Sequence, residues 1–379
     1  MNFVYSIKSF LHLSWLFCER FVLEKRRWKK TKYNSQTTPL VFYGHERIPS
    51  RAEKSGGAII KFQDLCERFP NTTKRANLLY LASSALPIFP GFMVREAKRH
   101  NVGFILNQNG VAYPAWHGPG WERTNRTLRL LLQLADYVIY QSQFCKKSAD
   151  IFLGSCHVPW TILYNPVDTR FFTPTSHRPE RLRLLLSGSH QHFYRVRVAI
   201  EMMAHLKRRI PDAGLTVAGR YTWKKSKREC IEEARRFAGE LGVIEQIVFK
   251  EEYSQLEASA LFQRHHVLVH TKYNDPCPRL VTEALACGLP VVYSASGGVT
   301  ELVGDEAGVG LPAPTDWKRD HPPDPEGLAQ AVIRIWNSYE HFATAARKRA
   351  VQYFDVQTWI EKHEEIFRQL MKKHSRNKK

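Results

Sequence analysis

The chain has 379 residues, 43% of them hydrophobic, with 56 Lys and Arg against 36 Asp and Glu, for a formal net charge of +20. That length can bury two cores of ordinary domain size. The seven cysteines are odd in number and lack paired metal spacing, which argues against a disulfide framework or a zinc site and fits a reducing cytosol. The charge surplus suits a polyanion, whether nucleic acid, anionic lipid or a phosphorylated small molecule, but no helix-turn-helix, zinc finger or RNP sequence accompanies it.

The first 32 residues hold eight Lys/Arg against two Glu, including KRRWKK at 25–30. Within them Phe3, Ile7, Phe10, Leu11, Phe17 and Phe21 recur at helical spacing, while Lys8, Glu19 and Arg20 interrupt the apolar run. Such a segment is too broken to span a bilayer. It can lie in the interface with its basic residues toward anionic lipid, or pack on the protein's own surface, and the sequence leaves both open. The interrupted core and the lack of a clear small-residue cleavage site argue against a cleaved signal peptide. This arm is assigned residues 1–37.

From residue 40 strand-like and helix-like segments alternate. Buried strands are expected at 40–45, 76–83, 102–108, 136–142 and 161–167, with helical patterns at 57–69, 93–100, 126–135 and 144–153. After the proline-bearing stretch NPVDTRFFTPTSHRPE (165–180) the rhythm restarts with strands at 181–189, 214–220, 246–251, 267–272 and 289–294. Parallel sheets covered on both faces follow from this alternation, in two domains at 38–170 and 180–340. The helices at 340–354 and 356–374 have no strand after them.

The densest chemistry lies in VLVHTKYNDPCPRLVTEALACGLPVVYSASGGVTELV, residues 267–303, where Asp275 and Glu283 flank seven residues at a strand-to-helix junction. In an open α/β sheet that edge binds ligands, and a helix amino terminus offers free N–H groups to an anion. A carboxylate one or two turns into the helix can accept hydrogen bonds from two ribose hydroxyls. An acid pair alone would more simply favour the helix dipole and face solvent.

The flanks resemble the retaining GT-B glycosyltransferases of family 4 (glycosyl transferases group 1), whose two glutamates are seven residues apart and precede a run like EAMACGLPVV and a Gly-Gly loop. Here the run is TEALACGLPVV at 282–292, followed by Gly297-Gly298. Asp275 replaces the first glutamate, and Pro276 and Pro278 stand where the family usually has glycines, which removes two N–H donors. LYNPVDTRFFTP at 163–174 resembles the family's interdomain sequence. The resemblance implies two doubly wound Rossmann-like domains facing across a cleft, an acceptor domain followed by a nucleotide-sugar domain, and carboxy-terminal helices in 341–379 crossing back to the first.

It also implies roles. Asp275 and Arg195 are the catalytic expectation: Asp275 toward the donor sugar, Arg195 as a charge clamp on the diphosphate, with Arg197 the competitor in register. Glu283, Gly188, Arg195, Cys277, Arg279 and Leu280 are expected to bind the donor, Glu283 through the ribose. Gly56, Gly57 and Asn109 form the expected phosphate and acceptor loop, since Gly56-Gly57 follows the first strand as the family's glycine loop does. YPAWHGPGW (113–121) suits stacking on a sugar or a mobile lid, and its His117 is left out of the catalytic set for want of an acid to orient it. No metal and no cofactor are expected beyond the nucleotide-sugar co-substrate. The implied activity is anomer-retaining transfer to an acceptor hydroxyl on a cell-envelope glycan or lipid-linked acceptor, in the cytoplasm or peripherally at the inner face of the membrane, without specific nucleic-acid binding. A sugar-nucleotide epimerase of the same fold and a non-enzymatic polyanion binder are the rival classes.

Overall fold

The computed structural model describes residues 19, 21–28 and 38–376. Helix α1 (21–28) is followed by a first domain of β1 (Val41–Phe42), α2 (Gly57–Cys66), β2 (Leu78–Ala82), α3 (Pro90–Arg99), β3 (Gly103–Gln108), α4 (Pro114–His117), α5 (Trp121–Leu134), β4 (Tyr137–Tyr140), α6 (Gln143–Phe152) and β5 (Trp160–Ile162). Its sheet is parallel in the order β1-β2-β3-β4-β5. Alternate strand residues point to opposite faces. Leu79, Leu81, Phe104 and Leu106 therefore pack on Met93, Val94, Leu128 and Leu131 of α3 and α5, while Leu78, Tyr80 and Ile105 pack with Phe62 and Leu65 of α2 on the other face.

The second domain runs β6 (Arg183–His190), α7 (Tyr194–Leu206), β7 (Gly214–Tyr221), α8 (Lys227–Glu240), β8 (Ile247–Lys250), α9 (Gln255–Gln263), β9 (Val267–His270), α10 (Arg279–Ala286), β10 (Val291–Ala295), α11 (Val299–Val303), β11 (Gly308–Pro312) and α12 (Pro325–Asn337). Its parallel sheet is ordered β11-β10-β9-β6-β7-β8, so the winding reverses between β6 and β9. That reversal opens a crevice beyond the carboxyl ends of the two strands. Strand β11 was not expected: its glycines, Gly308 and Gly310, give no strand signal, and a Cβ at Gly308 would lie 2.1 Å from Val291 O.

The ending differs from the expectation that all of 341–379 crosses back. Helix α13 (Tyr339–Tyr353) stays on the second domain, where Ala346 and Ala350 join Ala284 and Leu285 in one core. Only α14 (Val356–Arg376) returns, its Trp359, Ile360, Phe367 and Leu370 closing the open face of the first sheet. The crossing is made beside the outgoing linker, where Val167 N donates to Phe354 O (2.8 Å) and Val356 N to Val167 O (3.0 Å).

Most of the amino-terminal arm, including Phe3, Ile7, Phe10, Leu11 and Phe17, lies outside the described residues. Its described end packs on the first domain: Trp28 is fully buried against Phe42, and Phe21 stacks on Phe92 at 5.2 Å. Val22 and Leu23 remain exposed on the same helix. Among the described residues no helix is long and apolar enough to cross a membrane.

Candidate active site

A cleft of about 530 Å³ lies between the domains, within the range of small-molecule sites. Its second-domain wall is the switch-point crevice. Gly188 (φ 124°) and Gly219 (φ 120°) face each other at the ends of β6 and β7, and a Cβ on Gly219 would sit 2.0 Å from Gly188 O. Two glycines are therefore required to bring these strand ends together. The first-domain lip is the segment 53–57, with Trp116 of α4.

Asp275 sits in the loop between β9 and α10, 8% exposed. Lys272 Nζ lies 3.1 Å and His270 Nε2 3.3 Å from its Oδ2. Burial pushes the carboxyl up, but Lys272 and His270 together hold it well below the usual carboxylate range, so Asp275 is ionised. The loop carries strain: Asn274 has φ 51°, held by its N–H donating to Ser296 Oγ (2.9 Å) and its Nδ2 to Asp316 O (3.0 Å). Gly297 and Gly298 buttress it from behind. A Cβ on either would fall 2.4 Å from Asp275 O or 2.1 Å from Pro276 O, and Gly298 N donates to Asp275 O at 2.8 Å. The Gly-Gly loop thus shapes the acid's turn from outside the cleft.

Glu283, in the second turn of α10, accepts from Gln255 Nε2 (2.9 Å) and Arg279 Nε (3.0 Å), both on Oε1. Burial raises its pKa beyond what Arg279 and Gln255 offset. Arg279 opens α10, and its Nη1 donates across the interface to Asp64 Oδ2 of α2 at 2.7 Å. Leu280 lines the cleft against Gly188.

Arg195, 3% exposed, donates through Nη1 to Ser189 O (2.8 Å) and Gln191 Oε1 (2.6 Å), and its Nε has no partner. Its guanidinium lies 5.9 Å from the Trp116 ring, and Lys272 Nζ lies 5.3 Å from the same ring. Arg197 points away, paired with Glu201, so of the two register candidates Arg195 faces the cleft.

The structure brings Asp275, Arg195, Glu283, Gly188, Arg279, Leu280, Gly56 and Gly57 to one cleft. It does not bring Cys277 or Asn109. Cys277 is 4% exposed, its side chain in the core of the second domain with Sγ accepting from Asn165 N at 3.5 Å, so the thiol does not line the cleft. Asn109 is spent on the first domain, its N–H donating to Ser83 Oγ (2.9 Å) and its Nδ2 to Ser84 Oγ (3.4 Å), and it is absent from the cleft lining. His117 is exposed, with Nε2 at 2.8 Å from Thr124 Oγ1.

Sequence reasoning missed Lys272, His270, Gln255 and Asp64. Lys272 stands three residues before Asp275, a spacing that means little in a loop of unknown shape. Asp64 is over two hundred positions from its partner, and no local pattern links them.

Residues 168–350 match the family model of glycosyl transferases group 1. The glycogen synthase of Mycobacterium tuberculosis is 28% identical over 209 residues, 52% of this chain and 45% of that one. A GDP-mannose-dependent alpha-(1-6)-phosphatidylinositol monomannoside mannosyltransferase of Mycolicibacterium smegmatis is 31% identical over 118 residues, 28% of each chain. The matches thus span less than half the length of these curated relatives. Among solved structures, Anabaena HepE in complex with UDP-glucose superposes with a TM-score of 0.62 at 17% identity over 77% of this chain and 78% of that one. Sucrose-phosphate synthase from Thermosynechococcus elongatus gives 0.62 at 17% identity over 82% and 76%. Two parallel α/β domains opposed across a cleft, together with the superposed structures, show a GT-B fold, and its residues 168–350 match the glycosyl transferases group 1 model.

Proposed function

We propose that this protein transfers a sugar from a nucleotide-sugar donor to an acceptor hydroxyl with retention at the anomeric carbon. The observation that carries the reading is the convergence of Asp275, Glu283, Arg195 and the α10 amino terminus at the switch point of the second sheet, opposite a glycine lip. A Cβ on Gly56 or Gly57 would meet nothing within 4 Å, so packing in the unliganded protein does not call for glycine there, whereas close approach of a ligand to the backbone does. Anabaena HepE is described with UDP and with UDP-glucose, which supports a nucleotide-sugar donor here.

In this reading Glu283 holds the ribose, and the diphosphate lies at the mouth of α10 beside Arg195 and Lys272, which take up the charge that grows on the leaving group. Asp275, kept ionised by its two basic neighbours, accepts from a hydroxyl of the donor sugar and is a poor proton donor. The acceptor proton then goes to the departing phosphate oxygen. No step calls for a metal ion or a cofactor. Among the described residues no group of three or more His, Cys, Asp or Glu could hold a metal ion. Transfer assayed with a panel of UDP-, GDP- and ADP-sugars in excess EDTA is expected to proceed with one donor class; activity seen only after magnesium or manganese is restored would refute the metal-free path.

The acceptor proposed is a cell-envelope glycan or glycolipid, worked on at the cytoplasmic face of the membrane. The basic arm supports this, since its charge and the exposed Val22 and Leu23 suit an anionic lipid surface. Intact protein should float with anionic vesicles, and removal of residues 1–20, which leaves the buried Trp28 in place, should weaken flotation. Equal flotation of both forms would move the contact elsewhere.

A further inference from the structure

We infer that Asp64, in the first domain, is a positioning residue for the donor nucleotide: it holds Arg279 across the cleft and thereby keeps the Glu283 carboxylate aimed at the ribose. This rests on the proposed ribose role of Glu283. Arg279 is an unexpected residue at the first position of α10, because a cation there opposes the helix dipole. Its place is explained by two carboxylates. Asp64 is fully buried and receives Arg279 Nη1 on Oδ2 (2.7 Å) and Arg51 Nη2 on Oδ1 (2.8 Å). Glu283 receives Arg279 Nε on Oε1 (3.0 Å). The planar guanidinium, itself 7% exposed, is thus pulled from both sides and spans the domains.

The geometry has a directional consequence. While Asp64 occupies Nη1, Arg279 meets Glu283 through Nε alone, and both hydrogen bonds that Glu283 accepts stay on one oxygen. Without the Asp64 charge the fork is free to swing onto Glu283 and close on it two-pronged, competing with ribose hydroxyls for the same carboxylate. Asp64 therefore acts on nucleotide affinity only through Glu283.

A double-mutant cycle tests this, with calorimetry on the full chain using whichever of UDP, GDP or ADP the wild type binds most tightly. Asp64→Asn should raise Kd about tenfold, Glu283→Ala by more, and the double variant should match Glu283→Ala alone. Equal weakening by Asp64→Asn in both backgrounds, or none in either, would overturn the inference and leave the ribose role of Glu283 standing. An unchanged Kd in Glu283→Ala would instead remove the ribose role itself, and the inference with it. If Asp64→Asn does not fold by circular dichroism, Arg279→Lys, which keeps the cation and loses the fork, enters the same cycle with the same expected non-additivity.

Discussion

Acidification from pH 7.5 to pH 5 is expected to unfold the protein, with uptake of about four protons. Burial pushes His190, His265, His266 and His363 down to about 4. Each ring works in its neutral form. His266 Nδ1 accepts from Arg183 N (3.1 Å). His363 sits between Trp359 O on Nδ1 (2.9 Å) and Tyr80 OH on Nε2 (3.0 Å), so Nδ1 carries the proton and Nε2 accepts from the tyrosine. Protonation would set donor against donor at His266 and His363 and would bury an uncompensated charge at His190 and His265.

The sign follows from linkage. The unfolded chain binds these protons below a pH of about 6.5 and the native chain only near 4, so stability falls as the pH drops through that window. At pH 5 the loss is about 2 kcal/mol per histidine, or about 6–8 kcal/mol for the set, comparable to the whole stability of an ordinary domain at about 5–15 kcal/mol. Asp275 adds little in this range, because its carboxyl is held well below it, whereas Glu283, raised by burial, takes up its proton in the native state and offsets part of the loss. Urea titrations at half-unit intervals should give a slope near 5 kcal/mol per pH unit around pH 5.5, which His363→Gln lowers by about a quarter. A flat profile from pH 7 to 5 would show that these rings accept protons without unfolding.

The second large effect concerns Lys272. Its ammonium lies against Asp275 and beneath the Trp116 ring, on the side of the cleft where Arg195 also faces in. Diphosphate charge increases as the glycosidic bond breaks, and a cation fixed in advance stabilises that state more than the bound donor. Lys272→Met is therefore expected to lower kcat about 100-fold, the scale of one lost electrostatic contact at a transition state, while Kd for the free nucleoside diphosphate rises less than about tenfold. The opposite split, with kcat retained and thermal stability and affinity reduced, would make Lys272 a mere counter-charge for Asp275.

How much of this was legible in advance depends on the range of the interaction. Strands β2, β3, β4, β6, β7, β9 and β10 could be read because each is buried on both faces, and an apolar run between turn residues is a local signal. The spacing of Asp275 and Glu283 placed both near one helix start for the same reason. The placing of Cys277 and Asn109 outside the cleft lining could not be read in advance, because a loop residue's direction depends on backbone angles that spacing does not encode; Cys277 follows the left-handed Asn274 and lies in the core.

The sequence by itself determined the α/β class, the two-domain division and the acid motif, all written in residues close together along the chain. The tertiary structure decided which basic side chains serve the acids. Lys272 and His270 reach Asp275 only because the strained loop folds back, and Asp64 reaches Arg279 only because the domains close face to face. Charge pairing over a few ångströms leaves no periodicity in the chain that encodes it, so its partners appear only when the chain is folded.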